Sequence, residues 1–287
     1  MYYTSGTFVQ IDQTYSSMPV PFSELFGAQK PLIAMIHVPA LPGTPAYEGN
    51  WQKVLQKVRE EADLLRSAGV DALMLENMHD TPYLNRTVGP EIVSGMTAAA
   101  IAVRGVAPDL PCGIQVLAGA NQAALAVALA ADCQFIRAEG FVFGHLADEG
   151  WMNSDAGALL RYRKSINAEH ISVYTDIKKK HSSHTISSDV DLGETAKAAH
   201  FFKSNGLIVT GTATGSQAEI SDLRAVKEAC PDLPVLVGSG ITADNASEYK
   251  EVADGVIVGS FLKESGHWMN ELSTVRVQQL VSRWNNS

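Results

Sequence analysis

The feature that most constrains this chain is a repeated pairing: a short β-rich apolar run, a polar or glycine turn, then a longer helical stretch. Eight such runs are legible, at 31–37, 70–76, 112–117, 134–138, 171–177, 206–210, 234–238 and 254–259. Helix-like segments lie between them at 51–67, 91–106, 121–131, 154–167, 192–204 and 217–229, and 270–284 reads as a closing helix. Strands buried on both faces are continuously hydrophobic, and alternation with helices signals parallel pairing through right-handed crossovers. No glycine fingerprint follows the first strand, and eight units use up the 287 residues. An α/β fold, a single (β/α)8 TIM barrel, therefore fits better than an open doubly wound sheet. The expected organisation is one barrel domain, 31–287, preceded by an N-terminal extension, 1–30, that packs on it. Within that extension, 10–21 is polar and contains proline, and is expected to wrap the barrel or its bottom face. The long segment 141–153 separates the fourth strand from its helix and reads as an active-site loop.

Composition narrows the class. Hydrophobic residues make up 46% and charged residues 18%, enough apolar material for a large core and unlike a disordered polymer. Lys and Arg number 22 against 31 Asp and Glu, and the resulting charge of −9 argues against a protein that coats nucleic acid. Cys112, Cys133 and Cys230 form no CxxC pair, so neither a disulfide framework nor a thiolate zinc site is expected. The first thirty residues hold one basic residue, Lys30, and no apolar leader core, which points to a reducing, cytoplasmic location. The uncharged run 110–131 has the length of a membrane span, but Pro111, Gly113, Gln115, Gly119, Asn121 and Gln122 divide it into a strand, a turn and an Ala-rich helix. No transmembrane segment is expected. Every barrel helix is half apolar, so a homo-oligomer stays open as a partner.

Residues two apart in a strand share a face, so each polar strand end predicts what points inward. The inward set is Ile33, Met35 and His37, then Ala72, Met74 and Glu76, then Gln115, then Phe135, Arg137 and Glu139. Tyr174, Asp176 and Lys178 follow on the fifth strand, and Ile208, Thr210 and Thr212 on the sixth. The polar members, His37, Glu76, Gln115, Arg137, Glu139, Asp176, Lys178 and Thr210, gather at the C-terminal face, where catalytic residues of this fold arise. Interior ion pairs could account for some of them, but burying a charge costs several kcal/mol before pairing, which favours a functional pocket. Glu76 and Asp176, expected to face each other across the mouth, are candidate acid and base, with Arg137 or Lys178 tuning them and stabilising negative charge. A desolvated Lys178 is a Schiff-base or electrophilic candidate, whereas Lys179 and Lys180 read as solvated charges. His145, Asp148 and Glu149 on the long loop are candidates to close over a ligand.

A second signal is glycine at the ends of the last two strands. Gly238, Ser239 and Gly240 end the seventh run; Gly259 and Ser260 end the eighth. Backbone amides there can approach an anion, a helix starting near 242–245 would add its positive end, and Lys263 could add charge. Phosphate sites of this fold recur in these two loops. No resident cofactor is assigned. A divalent metal held by His37, His181, His184 and the two carboxylates stays an alternative without HxxxH or HxH spacing behind it. Ser239 and Ser260 have no His/Asp partner in a recognisable motif, which argues against a serine nucleophile.

Several segments together resemble the BtpA family: MIHVPALPG at 35–43, DALMLEN at 71–77 with Asp80 and Pro82, and FIRAEG at 135–140. VTGTATG at 209–215, Gly238-Ser239-Gly240 and DGVIVGS at 254–260 complete the match, which spans 31–265. The last two are shared with the wider ribulose-phosphate-binding barrels. The resemblance implies a phosphate-binding TIM barrel; the family is named for a photosystem I biogenesis factor, while bacterial relatives look like metabolic enzymes of sugar or nucleotide type. Two functions follow as expectations. The first is an enzyme, a lyase, isomerase or hydrolase, acting on a small phosphorylated metabolite such as a phosphosugar or nucleotide. The alternative is a non-catalytic assembly or stability factor for a membrane complex, which has no need of inward carboxylates.

Overall fold

A computed structural model describes residues 18–27, 30–211 and 213–287. The stretch 10–17 and the inward placement of Thr212 therefore lie outside the described residues. The chain runs α1 (Phe22–Leu25), β1 (Leu32–His37), α2 (Trp51–Ala68), β2 (Ala72–Glu76), α3 (Pro90–Val106), β3 (Cys112–Gln115), α4 (Asn121–Ala130) and β4 (Phe135–Ala138). It continues with β5 (His145–Ala147), β6 (Gly150–Met152), α5 (Ala156–Ser165), β7 (Ser172–Asp176), β8 (Ser182–Ser183), α6 (Leu192–Phe201) and β9 (Gly206–Val209). The last elements are α7 (Ile220–Ala229), β10 (Val235–Val237), α8 (Ala246–Val252), β11 (Gly255–Val258) and α9 (Thr274–Asn285). Eight parallel strands close in the order β1-β11-β10-β9-β7-β4-β3-β2, the TIM barrel that the repeats predict.

Strand alternation sorts side chains as expected. Leu32, Ala34 and Ile36 join the layer under the helices, while Ile33 and Met35 join Ala72, Met74, Phe135, Tyr174, Ile208, Leu236 and Ile257 inside the barrel. Register then carries the alternation to the rim, since Met35 pairs with Met74 and His37 with Glu76. The helices present their apolar stripe to the sheet: on α2 the buried side chains Val54, Val58, Ala62 and Leu65 recur at helical spacing. Asn50 caps its start by accepting from the Lys53 amide, and Gly69, at φ 85°, ends it in the left-handed conformation.

Two additions shape the ends of the barrel. At the bottom, Phe22, Leu25 and Phe26 of the α1 segment pack on the interior layer, with the Phe22 ring 6.0 Å from Tyr174 and Phe26 5.7 Å from Phe135. At the top, 141–153 is not an open loop: β5 and β6 form an antiparallel hairpin, and β8 from the loop after β7 adds to it. This small sheet covers the rim beside β4 and β7.

The interior is filled by pairing large with small. Phe135 reaches across to Gly113, where a Cβ would fall 2.1 Å from the ring. Neither the ring nor the backbone can yield in a close-packed interior. Gly113→Ala is therefore expected to lower unfolding free energy by about 1–3 kcal/mol, read from urea denaturation. An unchanged midpoint would show that Phe135 does not occupy this space.

Candidate functional site

The strand ends of β1, β2, β10 and β11, with the loops after β7 and β9, enclose a cavity of about 140 Å³. Its floor holds His37, Glu76, Arg137 and Lys180; one wall is made by the turns at 238–242 and 259–261, with Arg276 beside them.

Arg137 organises the floor. Its Nε donates to Asp176 Oδ2 at 2.9 Å and its Nη2 to Asp176 Oδ1 at 2.8 Å, and both side chains are buried. Burial alone would make Arg137 easier to deprotonate, but the charge and hydrogen bonds of Asp176 outweigh it and hold the guanidinium charged. Both Asp176 oxygens are thereby committed. The expected acid–base pair across the mouth is corrected on this point: Asp176 fixes Arg137 and does not line the cavity, whereas Glu76 does. The Glu76 carboxyl is pushed above the usual range by burial; Lys180 and Arg137 oppose that shift, and Glu139 and Asp176 add to it.

His37 sits beside Glu76. Its Nδ1 lies 3.3 Å from the Trp268 carbonyl, which can only accept, so Nδ1 carries the hydrogen and Nε2 presents a lone pair. That Nε2 is 3.8 Å from Glu76 Oε2. Burial, reinforced by the charge of Lys263, lowers the His37 pKa to about 3. The imidazole is therefore neutral, and its contact with Glu76 is not an ion pair.

The three consecutive lysines are placed differently from expectation. β7 ends at Asp176, alternation stops there, and Lys178, at φ 51°, turns away so that its Nζ donates to the Val190 carbonyl at 2.6 Å. Lys178 is not brought to the cavity. Lys179, read as solvated, is buried between Glu139 Oε2 at 3.4 Å and Glu149 Oε2 at 3.5 Å. Lys180, also read as solvated, is the lysine that lines the cavity. Gln115 donates to Glu139 Oε1 at 3.2 Å, while Gln115 Oε1 and the Thr210 hydroxyl are buried with no hydrogen-bond partner among the described residues.

The turns of the wall also need correction in detail. A Cβ at Gly238 would lie 2.6 Å from Ile208 and 3.0 Å from Arg137 Nη2, and one at Gly259 would lie 2.8 Å from His37 Nε2. Gly238 thus makes room for Ile208 and Arg137, and Gly259 for His37. Gly240, at φ 75°, faces the backbone of Ser216 and Gln217, and the Ser239 hydroxyl accepts from the Gly211 amide and donates to the Ser216 carbonyl. The Thr242 amide is taken by Asn245 Oδ1 at 2.8 Å, and α8 starts at Ala246, beyond the expected position. The amides of Gly240, Ile241, Ser260 and Phe261 take no backbone carbonyl among the described residues. Arg276 Nε donates to the Phe261 carbonyl at 2.6 Å, and its guanidinium lies 4.2 Å over the Phe261 ring. Lys263, expected to add charge here, instead pairs with Glu61 of α2 at 2.7 Å. His181 bonds Thr214, and His184 pairs with the Lys179 carbonyl. Among the described residues no group of three or more His, Cys, Asp or Glu side chains could hold a metal ion.

A model of the BtpA family matches residues 28–286. The chain belongs to the BtpA family. An uncharacterized mitochondrial protein of Caenorhabditis elegans is 48% identical over 93% of this chain and 97% of its own length. The photosystem I biogenesis protein BtpA of Synechocystis is 30% identical over 90% and 89%. Among solved structures, (S)-3-O-geranylgeranylglyceryl phosphate synthase from Thermoplasma acidophilum, in complex with sn-glycerol-1-phosphate, superposes with a TM-score of 0.58 at 18% identity over 90% of this chain and 94% of that one. Phosphoribosyl anthranilate isomerase from Thermus thermophilus gives 0.55 at 15% identity over 89% and 98%. At these identities the two structures establish the barrel fold. Among the described residues no helix is long and apolar enough to cross a membrane.

The segments that resemble the BtpA family hold the rim together. Asp80 accepts from the Leu41 amide at 2.8 Å and from Asn77 Nδ2 at 2.9 Å, and Asn77 Oδ1 accepts from the Leu117 amide at 2.7 Å. One buried pair thus ties the loops after β1, β2 and β3. Strand parity could not find this tie, nor Lys180 and Arg276, because all lie beyond strand ends. Arg276 had a signal: it falls in the first turn of α9, which begins at the rim where the cavity opens.

The neutral His37 generates a pH dependence. Its folded pKa is depressed, so its contribution is fully present above the unfolded value near 6.5 and is lost as pH falls through 6.5 toward 3. Between pH 6.5 and 5 the wild type should lose up to about 2 kcal/mol more than His37→Asn, since one pKa unit is worth about 1.4 kcal/mol. Urea unfolding at pH 7 and pH 5 checks this; equal losses in the two proteins would show that His37 titrates normally.

Proposed function

We propose that this BtpA-family barrel is an enzyme that carries out acid–base chemistry on a small phosphorylated metabolite, of the lyase, isomerase or hydrolase type. The phosphate is read onto the amides at Gly240, Ile241, Ser260 and Phe261, with Arg276 neutralising its charge. Glu76, kept protonated more readily than a solvated carboxylate, is the proton carrier, and the fixed Arg137 stabilises negative charge that develops on the substrate. The observation that carries this reading is the convergence on one cavity of about 140 Å³ of a buried carboxyl, a clamped arginine and, opposite them, uncommitted amides beside a second arginine. The structural neighbours, a synthase in complex with sn-glycerol-1-phosphate and a phosphoribosyl anthranilate isomerase, add support by analogy. The Synechocystis relative's name favours the alternative, an assembly factor, which gives the charges turned into the cavity no task.

Phosphate binding is tested by thermal shift with inorganic phosphate and dihydroxyacetone phosphate. Ligand at about 100 times its Kd should stabilise the protein by about 2.7 kcal/mol. Arg276→Gln should weaken binding about tenfold or more, since a hydrogen bond to a charged group contributes about 1.5–3 kcal/mol. Unchanged affinity in that variant would remove Arg276 and its wall from the account. A side chain at Gly240 is a poor test, because its Cβ would meet the Gln217 Cα at 2.4 Å whether or not phosphate binds there.

A further inference from the structure

The lysines that end β7 and follow β11 are nearly all spent. Lys178 donates to the Val190 carbonyl, Lys179 lies between Glu139 and Glu149, and Lys263 pairs with Glu61. Lys180 differs: its Nζ has no hydrogen bond or ion pair with any described residue, and the side chain lines the cavity with Glu76 and Arg137. The nearby carboxylates are engaged elsewhere, Asp176 by Arg137 and Glu139 by Lys179 and Gln115. Arg137 already supplies a permanent positive charge at this spot. A second cation beside it, half-buried and without its own carboxylate, adds cost and duplicates a charge that is present.

We propose that the Lys180 amine is a covalent nucleophile and that the substrate is accordingly a phosphorylated aldehyde or ketone. This deepens the reading above and rests on it. The neutral amine's lone pair attacks the carbonyl carbon, the carbonyl π pair moves to oxygen, and Glu76 supplies the proton that makes the carbinolamine hydroxyl. The attached nitrogen then returns one proton to Glu76, which passes it to the hydroxyl, and loss of that group as water leaves a protonated imine on Nζ, with one proton taken up overall. The positive nitrogen then accepts electron density from a neighbouring C–H or C–C bond, which is the task an isomerase or lyase sets. Two features of the site favour the uncharged amine: burial lowers the Lys180 pKa, and the Arg137 charge lowers it further, while Glu76, Asp176 and Glu139 act in the opposite sense. Burial also raises Glu76, against the pull of Lys180 and Arg137, so burial disfavours the charged form of both groups.

The test is reductive trapping on the full chain with dihydroxyacetone phosphate and cyanoborohydride, which delivers hydride to the imine carbon and fixes a secondary amine. Peptide mass spectrometry then locates the adduct. We expect it on Lys180 in excess over every other lysine, absent in Lys180→Met, and reduced about a hundredfold by inorganic phosphate at about 100 times its Kd. Lys180→Met should still be stabilised by phosphate, showing that the variant folds with its anion wall intact. Stabilisation by phosphate with adducts spread over surface lysines and none on Lys180 overturns this proposal and leaves the phosphate reading standing. A Lys180 adduct that phosphate does not suppress supports the nucleophile and sinks the phosphate reading; neither adduct nor stabilisation overturns both.

Discussion

The pairing of Arg137 with Asp176 governs the upper half of this barrel. Two hydrogen bonds of 2.9 and 2.8 Å hold a guanidinium where water cannot solvate it. Removing one partner from a buried pair of this kind costs about 3–5 kcal/mol, because the other charge is left alone. The fixed arginine has consequences on every side. It shares with Ile208 the space beside Gly238, where a Cβ would lie 2.6 Å from Ile208 and 3.0 Å from Nη2, and it engages both Asp176 oxygens. It also leaves Glu76 and Lys180 as ionisable groups of the floor that have no ion-pair partner among the described residues.

The two halves of the cavity are built by different means. The floor comes from strand side chains whose direction is dictated by the pleat, so His37 and Glu76 arrive side by side because their backbones pair in register. The wall comes from turns, whose donors are main-chain amides and whose one basic side chain, Arg276, enters from the start of a helix. A cation in a first helical turn opposes the helix dipole. What holds it there is the Phe261 carbonyl, to which its Nε donates, and the Phe261 ring beneath its guanidinium. Between floor and wall, Gly259 is small because His37 needs the space.

Much of this was legible in the chain because it depends on period. The alternation of apolar runs and helices predicts the closed sheet, and parity within strands predicts that Ile33, Met74, Phe135 and Tyr174 fill the interior. Legibility stops where strands stop. Lys178 is two residues past Asp176, so parity aims it inward, but the backbone has already left the strand and φ is 51°. Lys180, within a run that resembles a solvated charge cluster, is drawn inside by a turn no local pattern encodes. The glycines of 238–259 carry an ambiguous signal, since room for a neighbour's side chain and room for an anion call for the same residue. Asn77 and Asp80, which belong to the segments that resemble the BtpA family, are hydrogen-bonded struts between loops.

The most direct measurement is a crystal structure of the full chain grown or soaked with inorganic phosphate. The account predicts one phosphate at the wall, its oxygens about 2.7–3.2 Å from the amides of Gly240, Ile241, Ser260 and Phe261, with the Arg276 guanidinium turned toward it. Phosphate seated on the floor against Arg137 and Lys180, or an empty wall at saturating concentration, would contradict it.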